Sequence, residues 1–367
     1  TDGHVKREAA NALLQVRDGD KVHELLKDLL PLCRDASPEV RRAAVNVLVR
    51  IVDPGDKHAI PALRVALEDR DPEIKRNAAL ALTNIGGEES AVALPVLLEM
   101  IKNAEPELRR QAVLGIRNIG PRAASAVNPL MTILEGDDDA KAREHAALAL
   151  GGIGKPAEPA VALLVKKVQA AREAREVRVE SAMALARIGA VPSAVDQVPA
   201  LLKVLADPLE DAKVRERVIW ALRVHAGKLA DMKGPLEAFT QVLKEPKNAD
   251  NKMLRYDCAY MLGMIWQRQA PDVALDVLSD FLGDPGVKIY VKTDIVVGGG
   301  GAEIVGGKAK VDERGEGDGR VMAADALQMI GPQRFASRAD ILRQLRALAE
   351  DAQTYPPLRK KAASLVK

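Results

Sequence analysis

A chain of 367 residues that is 47% hydrophobic but only 2% aromatic is not a disordered or fibrous protein, and its apolar mass of Ala, Leu and Val favours packed helices. Fifty-four basic and 52 acidic residues leave a formal net charge of +2, which excludes a global field that would draw the chain onto nucleic acid or an anionic membrane. No stretch reaches the roughly 18 apolar residues of a membrane span, so the sequence predicts a soluble chain.

One short pattern recurs along the chain: an apolar residue, a basic residue, two variable residues, a small residue, and then Ala- and Leu-rich positions. Examples are VRRAAVNVL, IKRNAALAL and LRRQAVLGI. The basic position is filled by Lys6, Arg41, Lys75, Arg109, Arg143, Arg178, Arg215, Arg255, Arg320 and Arg359. These residues are separated by 35, 34, 34, 34, 35, 37, 40, 65 and 39 positions, which indicates a repeat with one insertion.

Each copy begins with residues that favour the start of a helix. A cap residue, a first-turn proline and an acid stand together at Ser37-Pro38-Glu39, Asp71-Pro72-Glu73 and Glu105-Pro106-Glu107. The same cap position is filled in other copies by Asp2, Asp139, Asp211 and Asn251. Several copies close with glycine, and a second amphipathic segment such as AIPALRVALED lies between copies. The repeating unit is therefore predicted to be a pair of helices.

The pattern resembles the HEAT family, in particular bacterial-type HEAT repeat proteins, whose second helix commonly carries V-R-x-x-A-x-x-A-L. The resemblance extends over nearly the whole chain. It implies an all-α fold, a right-handed α-α superhelix of the HEAT/armadillo type, with residues 1–367 forming a single solenoid of about nine to ten helix pairs and incomplete terminal repeats. It implies little about function, because this architecture serves many unrelated tasks.

The HEAT family often places an aspartate before the second helix, where it pairs with the basic residue of the pattern. Asp35, Asp69 and Asp137 fit this arrangement. The equivalent positions in other copies hold Asn103, Arg172 and Leu209. The Asp–Arg ladder is therefore expected to be interrupted.

Two cysteines stand about six repeats apart, Cys33 and Cys258. Stacked helices lie about 8–10 Å apart, so the two sulfurs are expected to be some 50 Å or more from each other. A disulfide needs Cα atoms within about 7 Å. Both cysteines are therefore predicted to be core thiols.

The two ends of the sequence look unfinished for a solenoid, which needs polar caps. Thr1 is followed at once by a second-of-pair helix, and Lys367 directly follows another. Three interpretations stay open: truncated ends, ends closed by a partner, and self-association with another copy of the chain. The sequence does not specify a cellular compartment.

Helical periodicity predicts which side of each second helix is buried. With the first apolar residue of the pattern as position 0, positions 0, 4, 5, 7, 8 and 11 are mostly apolar or small and share one arc. Position 6 points away from that arc, and it is expected to line the concave surface on which HEAT second helices lie. Position 6 holds Asn11, Asn46, Leu80, Leu114, Leu148, Met183, Trp220, Tyr260, Asp325 and Ser364.

The middle of this stripe predicts a binding groove for a protein or peptide segment that carries acidic and apolar residues. Its expected contact residues are Leu80, Leu114, Leu148 and Met183, the aromatic residues Trp220, Tyr256 and Tyr260, the position-2 arginines Arg7, Arg42, Arg76 and Arg110, and the flanking amides Asn84 and Asn118. Arg217 also flanks the stripe, whereas Trp266 falls on the buried arc and is predicted to be core. The alternative interpretation is structural: the stripe packs on neighbouring helices and the arginines are ordinary solvated charges.

The 65-residue step holds an insertion at residues 286–320, within the penultimate repeat. Val287, Ile289 and Val291 alternate with polar or aromatic residues, and the glycines at 298–301 separate a second β-like run. This pattern predicts a β-hairpin with a glycine-rich tip and a flexible return through residues 312–319. Gly307-Lys308-Ala309 lacks the Ser or Thr of a phosphate-binding loop, so no nucleotide site is expected.

The sequence contains no catalytic or metal-binding motif: its five histidines are scattered, and there is no HExxH, GxSxG, zinc-type spacing or calcium loop. The resulting prediction is a non-catalytic scaffold or protein-binding module with no cofactor and no metal. The alternative is a nucleic-acid-binding protein or an enzyme resembling the HEAT-like DNA alkylpurine glycosylases, with the position-2 arginines on phosphates and Trp220 or Tyr260 stacking on bases. The near-neutral charge and the scarcity of aromatic residues count against this alternative.

Overall fold

The computed structural model of the chain describes residues 26, 28–103, 105–290 and 316–366. Within these residues the chain is helical apart from two three-residue strands. The helices form two compact units, one that ends at Leu164 and one that begins at Val165. Nine of the ten pattern copies fall in the described residues, and each of them lies on a helix; the tenth, at Lys6, lies outside. The organisation of residues 1–367 as one solenoid stays a prediction.

The first unit consists of helix pairs. We call the helices that carry the repeated pattern second helices and the helices between them first helices. The second helices are α1 (Pro38–Ile51), α3 (Pro72–Ile85), α5 (Pro106–Ile119) and α7 (Ala140–Ile153), and the first helices are α2 (Ile60–Ala66), α4 (Leu94–Met100) and α6 (Val127–Gly136). Short 3-10 turns at Glu88–Ala93 and Gly120–Ala126 lead into α4 and α6. Each second helix packs beside the next one, and each first helix packs on the second helix that follows it.

The second unit repeats this arrangement with longer connections. Its second helices are α9 (Arg175–Ile188), α12 (Ala212–Arg223), α15 (Lys252–Trp266), α17 (Arg320–Ile330) and α19 (Pro356–Leu365). The other helices are α8 (Val161–Gln169), inside which the unit boundary falls, the one-turn α10 (Pro192–Val195), α11 (Val198–Ala206), the one-turn α13 (Ala226–Leu229), α14 (Pro235–Lys244), α16 (Asp272–Leu282) and α18 (Ala339–Glu350). Here too the second helices pack side by side, from α9 through α19.

The helices begin and end at the residues that the sequence indicates. The Asp71 carboxylate accepts a hydrogen bond from the Glu73 N–H at 2.9 Å, and the Asp211 side chain accepts from two N–H groups of α12. Glu105 occupies the same position before α5 but makes no capping hydrogen bond. Gly86 ends α3 with φ of 74°, a backbone conformation that residues with a side chain adopt only with strain.

The buried arc agrees with the predicted periodicity. Positions 4, 5, 7 and 8 are buried in α3 (Ala78, Ala79, Ala81, Leu82), in α7 (Ala146, Ala147, Ala149, Leu150) and in α12 (Val218, Ile219, Ala221, Leu222). These mostly small residues let neighbouring second helices approach closely. At Gly263 in α15 the approach is so close that a Cβ placed there would lie 2.9 Å from the Cβ of Ala326 in α17.

Both cysteines are buried, free thiols, as expected of core residues. Burial raises the pKa of Cys33 to about 12 and also raises that of Cys258, so both remain protonated thiols near neutral pH. Trp266 is buried as well, with its ring centroid 6.1 Å from that of Phe239 in α14.

The predicted β-hairpin insertion at residues 286–320 is not shown, and the fold class is corrected to a helical array with one short strand pair. Strand β1 (Lys288–Tyr290) pairs antiparallel with β2 (Glu316–Asp318), so its partner comes from the stretch predicted as a flexible return and not from the run after the glycines. The pairing joins the two ends of the insertion beside α17, where the Gly319 N–H donates to the Val287 carbonyl at 2.9 Å. Residues 291–315, which include the glycines at 298–301, lie outside the described residues.

The capping positions of two successive repeats give a matched test. We expect Asp71→Ala to lower the free energy of unfolding by about 1–2 kcal/mol, because the substitution leaves an N–H group at the start of α3 without its acceptor and Arg42 without its ion pair to this residue. Glu105→Ala changes the same position of α5 and should cost less than about 0.5 kcal/mol, since no capping bond is lost. Urea unfolding followed by circular dichroism measures both values. Equal losses for the two variants would contradict the capping assignment.

Candidate functional site

Most of the described position-6 side chains lie on the outward face of the second helices in both units. Leu80, Leu114 and Leu148 are half-buried on α3, α5 and α7 of the first unit. Met183 is half-buried on α9 of the second unit, and Trp220 on α12 is 44% exposed. The structure therefore places five of the six apolar residues of the predicted stripe where each retains some accessible surface.

The position-2 arginines of the first unit differ in their partners. Arg42 pairs with Asp71 and with Glu73 at 3.0 Å, and Arg110 pairs with Asp139 at 2.6 Å and with Glu107 at 2.6 Å. Asp71 and Asp139 are the caps of the following second helices.

A capping aspartate of this kind uses one oxygen for the helix N–H and the other for the arginine. The hydrogen bond from Arg42 holds the pKa of Asp71 below its ordinary value. The same hydrogen bond, donated by Arg42 to Asp71, raises the pKa of Arg42. These contacts neutralise Arg42 and Arg110 locally, so neither offers a free positive charge.

The remaining predicted polar contacts of the first unit are less constrained. Arg76 is half-buried and has no ion-pair partner among the described residues, because Glu105 before α5 does not reach back as Asp71 and Asp139 do. Asn84 and Asn118 are exposed. Arg7 lies outside the described residues.

Trp220 is the centre of a cluster formed by α12 and α15. The guanidinium of Arg217 lies over its indole, 5.4 Å from the ring centroid. One turn further along α12, the guanidinium of Arg223 lies 5.1 Å from the ring centroid of Tyr260, and it donates a hydrogen bond of 3.4 Å to the Tyr260 hydroxyl. We call these residues, together with Asp257, the Trp220 cluster.

The structure corrects the expectation that Tyr256 and Tyr260 are exposed beside Trp220. Tyr256 is only 4% exposed because its ring stacks on Phe281 of α16, with centroids 4.2 Å apart, and its hydroxyl hydrogen bonds Asp284 at 3.2 Å. Tyr260 is 8% exposed, and the Arg223 guanidinium lies over its ring. Both tyrosines are therefore buried beneath the surface. Of the three aromatic residues, only Trp220 exposes its ring to solvent.

Asp257 is a half-buried carboxylate directly beside Trp220. Burial, followed by the nearby Glu216 carboxylate, raises the pKa of Asp257 to about 6. Arg223, a hydrogen bond from Trp220 and Arg217 act in the opposite direction and favour the ionised form. The carboxylate therefore changes its charge in a pH range where ordinary aspartates are already ionised.

Sequence reasoning missed Asp257 and Arg223 as parts of this site. The contact between Asp257 and Trp220 joins position 3 of one second helix to position 6 of the preceding one. The first unit has the same geometry, since the Asn77 amide at position 3 donates to the Asn46 side chain at position 6. Reading position 3 of each copy against position 6 of the copy before it would have found the pair.

The repeated pattern is matched by a known family model. The model for HEAT repeats matches residues 26–117, 94–186 and 127–223, which together span more than half of the chain. This chain belongs to the HEAT-repeat family. No curated protein matches the sequence.

Several solved structures share the HEAT fold of this chain at low identity. A crystal structure of an engineered protein from the Northeast Structural Genomics Consortium has a TM-score of 0.59 at 22% identity, covering 100% of this chain and 95% of the other. Kap95p solved with RanGDP has a TM-score of 0.56 at 13% identity, covering 95% of this chain and 47% of the other. A separate structure of yeast importin-β (Kap95p) has a TM-score of 0.54 at 12% identity, covering 95% of this chain and 46% of the other. The chain thus spans about half the length of Kap95p.

The HEAT arginine ladder is present in modified form. Arg41 binds Asp69 through two nitrogens at 2.6 and 3.1 Å, and Arg109 binds Asp137 in the same way at 2.8 and 2.9 Å. Later repeats use different acceptors. Glu210 replaces the missing aspartate for Arg178, and the Asn248 side chain accepts from Arg215 at 2.9 Å. The sequence predicted the departures from aspartate but not their replacements.

The described part of this HEAT chain contains no group of three or more His, Cys, Asp or Glu side chains placed to hold a metal ion. No helix among the described residues combines the length and apolar character that crossing a membrane requires.

The raised pKa of Asp257 gives a pH-dependent prediction. A carboxylate whose folded-state pKa exceeds its unfolded value costs stability when it is ionised, so the wild type loses stability as the pH rises from about 4 through 6. Asp257→Asn retains an oxygen that can accept from Trp220 and removes this cost. At pH 7.5 we expect the variant to exceed the wild type in free energy of unfolding by about 1–2 kcal/mol, with the advantage shrinking towards pH 4. Urea unfolding at both pH values measures the difference, and a difference that does not vary with pH would show the assignment to be wrong.

Proposed function

We propose that this HEAT chain is a non-catalytic scaffold that binds a protein or peptide segment on the outward face of its second helices. The observation that carries the proposal is Trp220. Its large ring is 44% exposed, the guanidinium of Arg217 lies over it, and the half-buried Met183 holds the same position of the preceding second helix in this unit. Tryptophan with a fixed orientation and a free surface is typical of the residues that dominate binding energy at interfaces.

The spacing of the apolar row suits a bound chain segment. Side-by-side helices lie about 8–10 Å apart, so Leu80, Leu114 and Leu148 present one apolar contact at about that interval. An extended segment advances about 3.3 Å per residue, and it would therefore meet one such contact every three residues. Within the first unit repetition gives several weak contacts, and within the second unit Trp220 supplies a stronger one.

The fold comparisons are consistent with this proposal. Kap95p, which shares the fold, has been solved with RanGDP and in a complex with Nup1. At 13–14% identity the likeness concerns the fold alone, so protein binding by this chain is our inference from its own surface. Extended binding surfaces are a common use of solenoid architecture. The proposal assigns no catalytic chemistry and no cofactor to the chain.

The nucleic-acid alternative has lost part of its support. Phosphate binding by release of counterions requires positive charges that are not already neutralised. Arg42 and Arg110, two of the arginines on which that hypothesis depended, are bound to carboxylates of the protein itself. The proposed partner remains the acidic and apolar protein segment that the sequence predicts.

Truncation of the proposed anchor tests the binding face. Wild-type protein and Trp220→Ala would be compared as bait in affinity capture from an extract of the cells that produce the chain, followed by affinity measurements on each captured protein. We expect Trp220→Ala to weaken the main interaction at least about tenfold, because a buried tryptophan at an interface centre commonly contributes that much.

Leu209→Ala is the matched control. Leu209 is 83% exposed in the loop before α12 and lies outside the second-helix face, so its truncation also removes an exposed apolar side chain of the same unit. It should leave the captured proteins and their affinities unchanged. Identical partners and affinities for the wild type and Trp220→Ala would contradict the proposed function.

A further inference from the structure

The arginines of the Trp220 cluster differ from the position-2 arginines of the first unit in their charge pairing. Arg42 and Arg110 each hold carboxylates of the protein at ion-pair distance. Arg217 and Arg223 have no carboxylate oxygen within 4.0 Å among the described residues, although both act on Asp257 at longer range. Two positive charges without an ion-pair partner therefore stand beside the exposed indole.

Aromatic rings fix the position of these two guanidinium groups. Arg217 lies over Trp220 and Arg223 lies over Tyr260, at 5.4 and 5.1 Å from the ring centroids. A guanidinium carries five N–H donors, and the hydrogen bond from Arg223 to the Tyr260 hydroxyl uses one of them, so most donors of the two arginines stay available for a carboxylate. The groups are thus held in place before any ligand arrives, which reduces the entropic cost of binding.

The acids near the cluster do not cancel this charge. Glu216 is engaged by the ammonium group of Lys213 at 2.9 Å. Asp257 is half-buried, and when ionised it offsets only one of the two arginine charges. The two arginines together with Asp257 therefore leave a net positive charge around an exposed apolar ring.

We propose that the Trp220 cluster recognises an acidic segment of a partner protein, in which Asp or Glu side chains flank an apolar or aromatic residue that packs on Trp220. The carboxylates bind Arg217 and Arg223 through charge-assisted hydrogen bonds. This inference rests on the proposed function. It adds the chemistry of the partner segment and the residues that bind it. The acidic side chains of the partner are therefore assigned to the second unit, and not to Arg42 and Arg110, where the sequence suggested that they bind.

The surroundings of the cluster favour a peptide over a nucleic acid. A polyanion that follows the surface would bring phosphates close to Glu216 and Asp257 as well as to the arginines. A peptide can place a carboxylate at each arginine and uncharged atoms opposite the acids. Nucleic-acid binding at this cluster is accordingly an outcome that would overturn the inference.

Selection from a random-peptide display library on the full chain tests the inference. We expect the selected peptides to be enriched in Asp and Glu on both sides of an apolar or aromatic residue. For the tightest selected peptide, made synthetically, Arg217→Gln and Arg223→Gln should each weaken binding about tenfold, because each removes a hydrogen bond to a charged group. Asp257→Asn, which removes a competing negative charge, should tighten binding about threefold. This gain cannot arise from a folding defect.

Arg343→Gln is the matched control for charge. Arg343 is exposed on α18, a first helix, so the substitution lowers the net charge equally without touching the cluster, and peptide affinity should not change. Circular dichroism of each variant verifies its folding.

The outcomes separate this inference from the proposed function. Peptides without an acidic preference whose binding is lost in Trp220→Ala would overturn the inference and leave the proposed function standing. Failure to select any peptide that depends on Trp220 would contradict both. Binding of a single-stranded oligonucleotide that Trp220→Ala abolishes, in place of acidic peptides, would also overturn the inference.

Discussion

The structure depends on one recurring contact, in which the basic residue of a second helix reaches the loop that starts the next one, as Arg41, Arg109, Arg178 and Arg215 do. The pairs Arg41–Asp69 and Arg109–Asp137 are bidentate. A helix pair cannot bury its own apolar face, so the array is stable only when neighbours are held in register. Small residues at positions 4, 5, 7 and 8 then allow close packing. Register and close packing together turn position 6 outwards in the described repeats, apart from that of Tyr260, which Arg223 covers.

The aspartates at the helix starts also determine where the surface is charged. Aspartates that cap second helices also neutralise position-2 arginines, as Asp71 does for Arg42. Around Trp220 the pattern changes, because arginines at other helix positions rest on aromatic rings. The two units therefore present different faces although they share one repeat. In the first unit, partly exposed leucines lie beside arginines whose charge is largely neutralised by carboxylates. In the second unit, the exposed surface is a cationic aromatic cluster.

Local rules in the sequence were sufficient for the helices, most of their caps, the buried arc and the family, because each of these depends on residues within one repeat; Glu105 is the cap that makes no hydrogen bond. They failed where a neighbour decides the outcome. Tyr256 and Tyr260 occupy positions 2 and 6, but Phe281 and Arg223 cover them. The unusual pKa of Asp257 depends on residues of α12 as well as on its own burial. The pairing of β1 with β2 likewise follows from where the chain returns to α17, which periodicity within the insertion does not reveal.

The central claim is that the outward face at Trp220 is the surface that binds a partner. Oxidative footprinting by mass spectrometry tests it directly, because the chain contains two tryptophans and the buried Trp266 serves as an internal reference. In the free chain Trp220 should be oxidised faster than Trp266. With a saturating amount of a selected peptide, Trp220 should become protected while Trp266 stays unchanged. An equally rapid oxidation of Trp220 in the peptide complex would contradict the account.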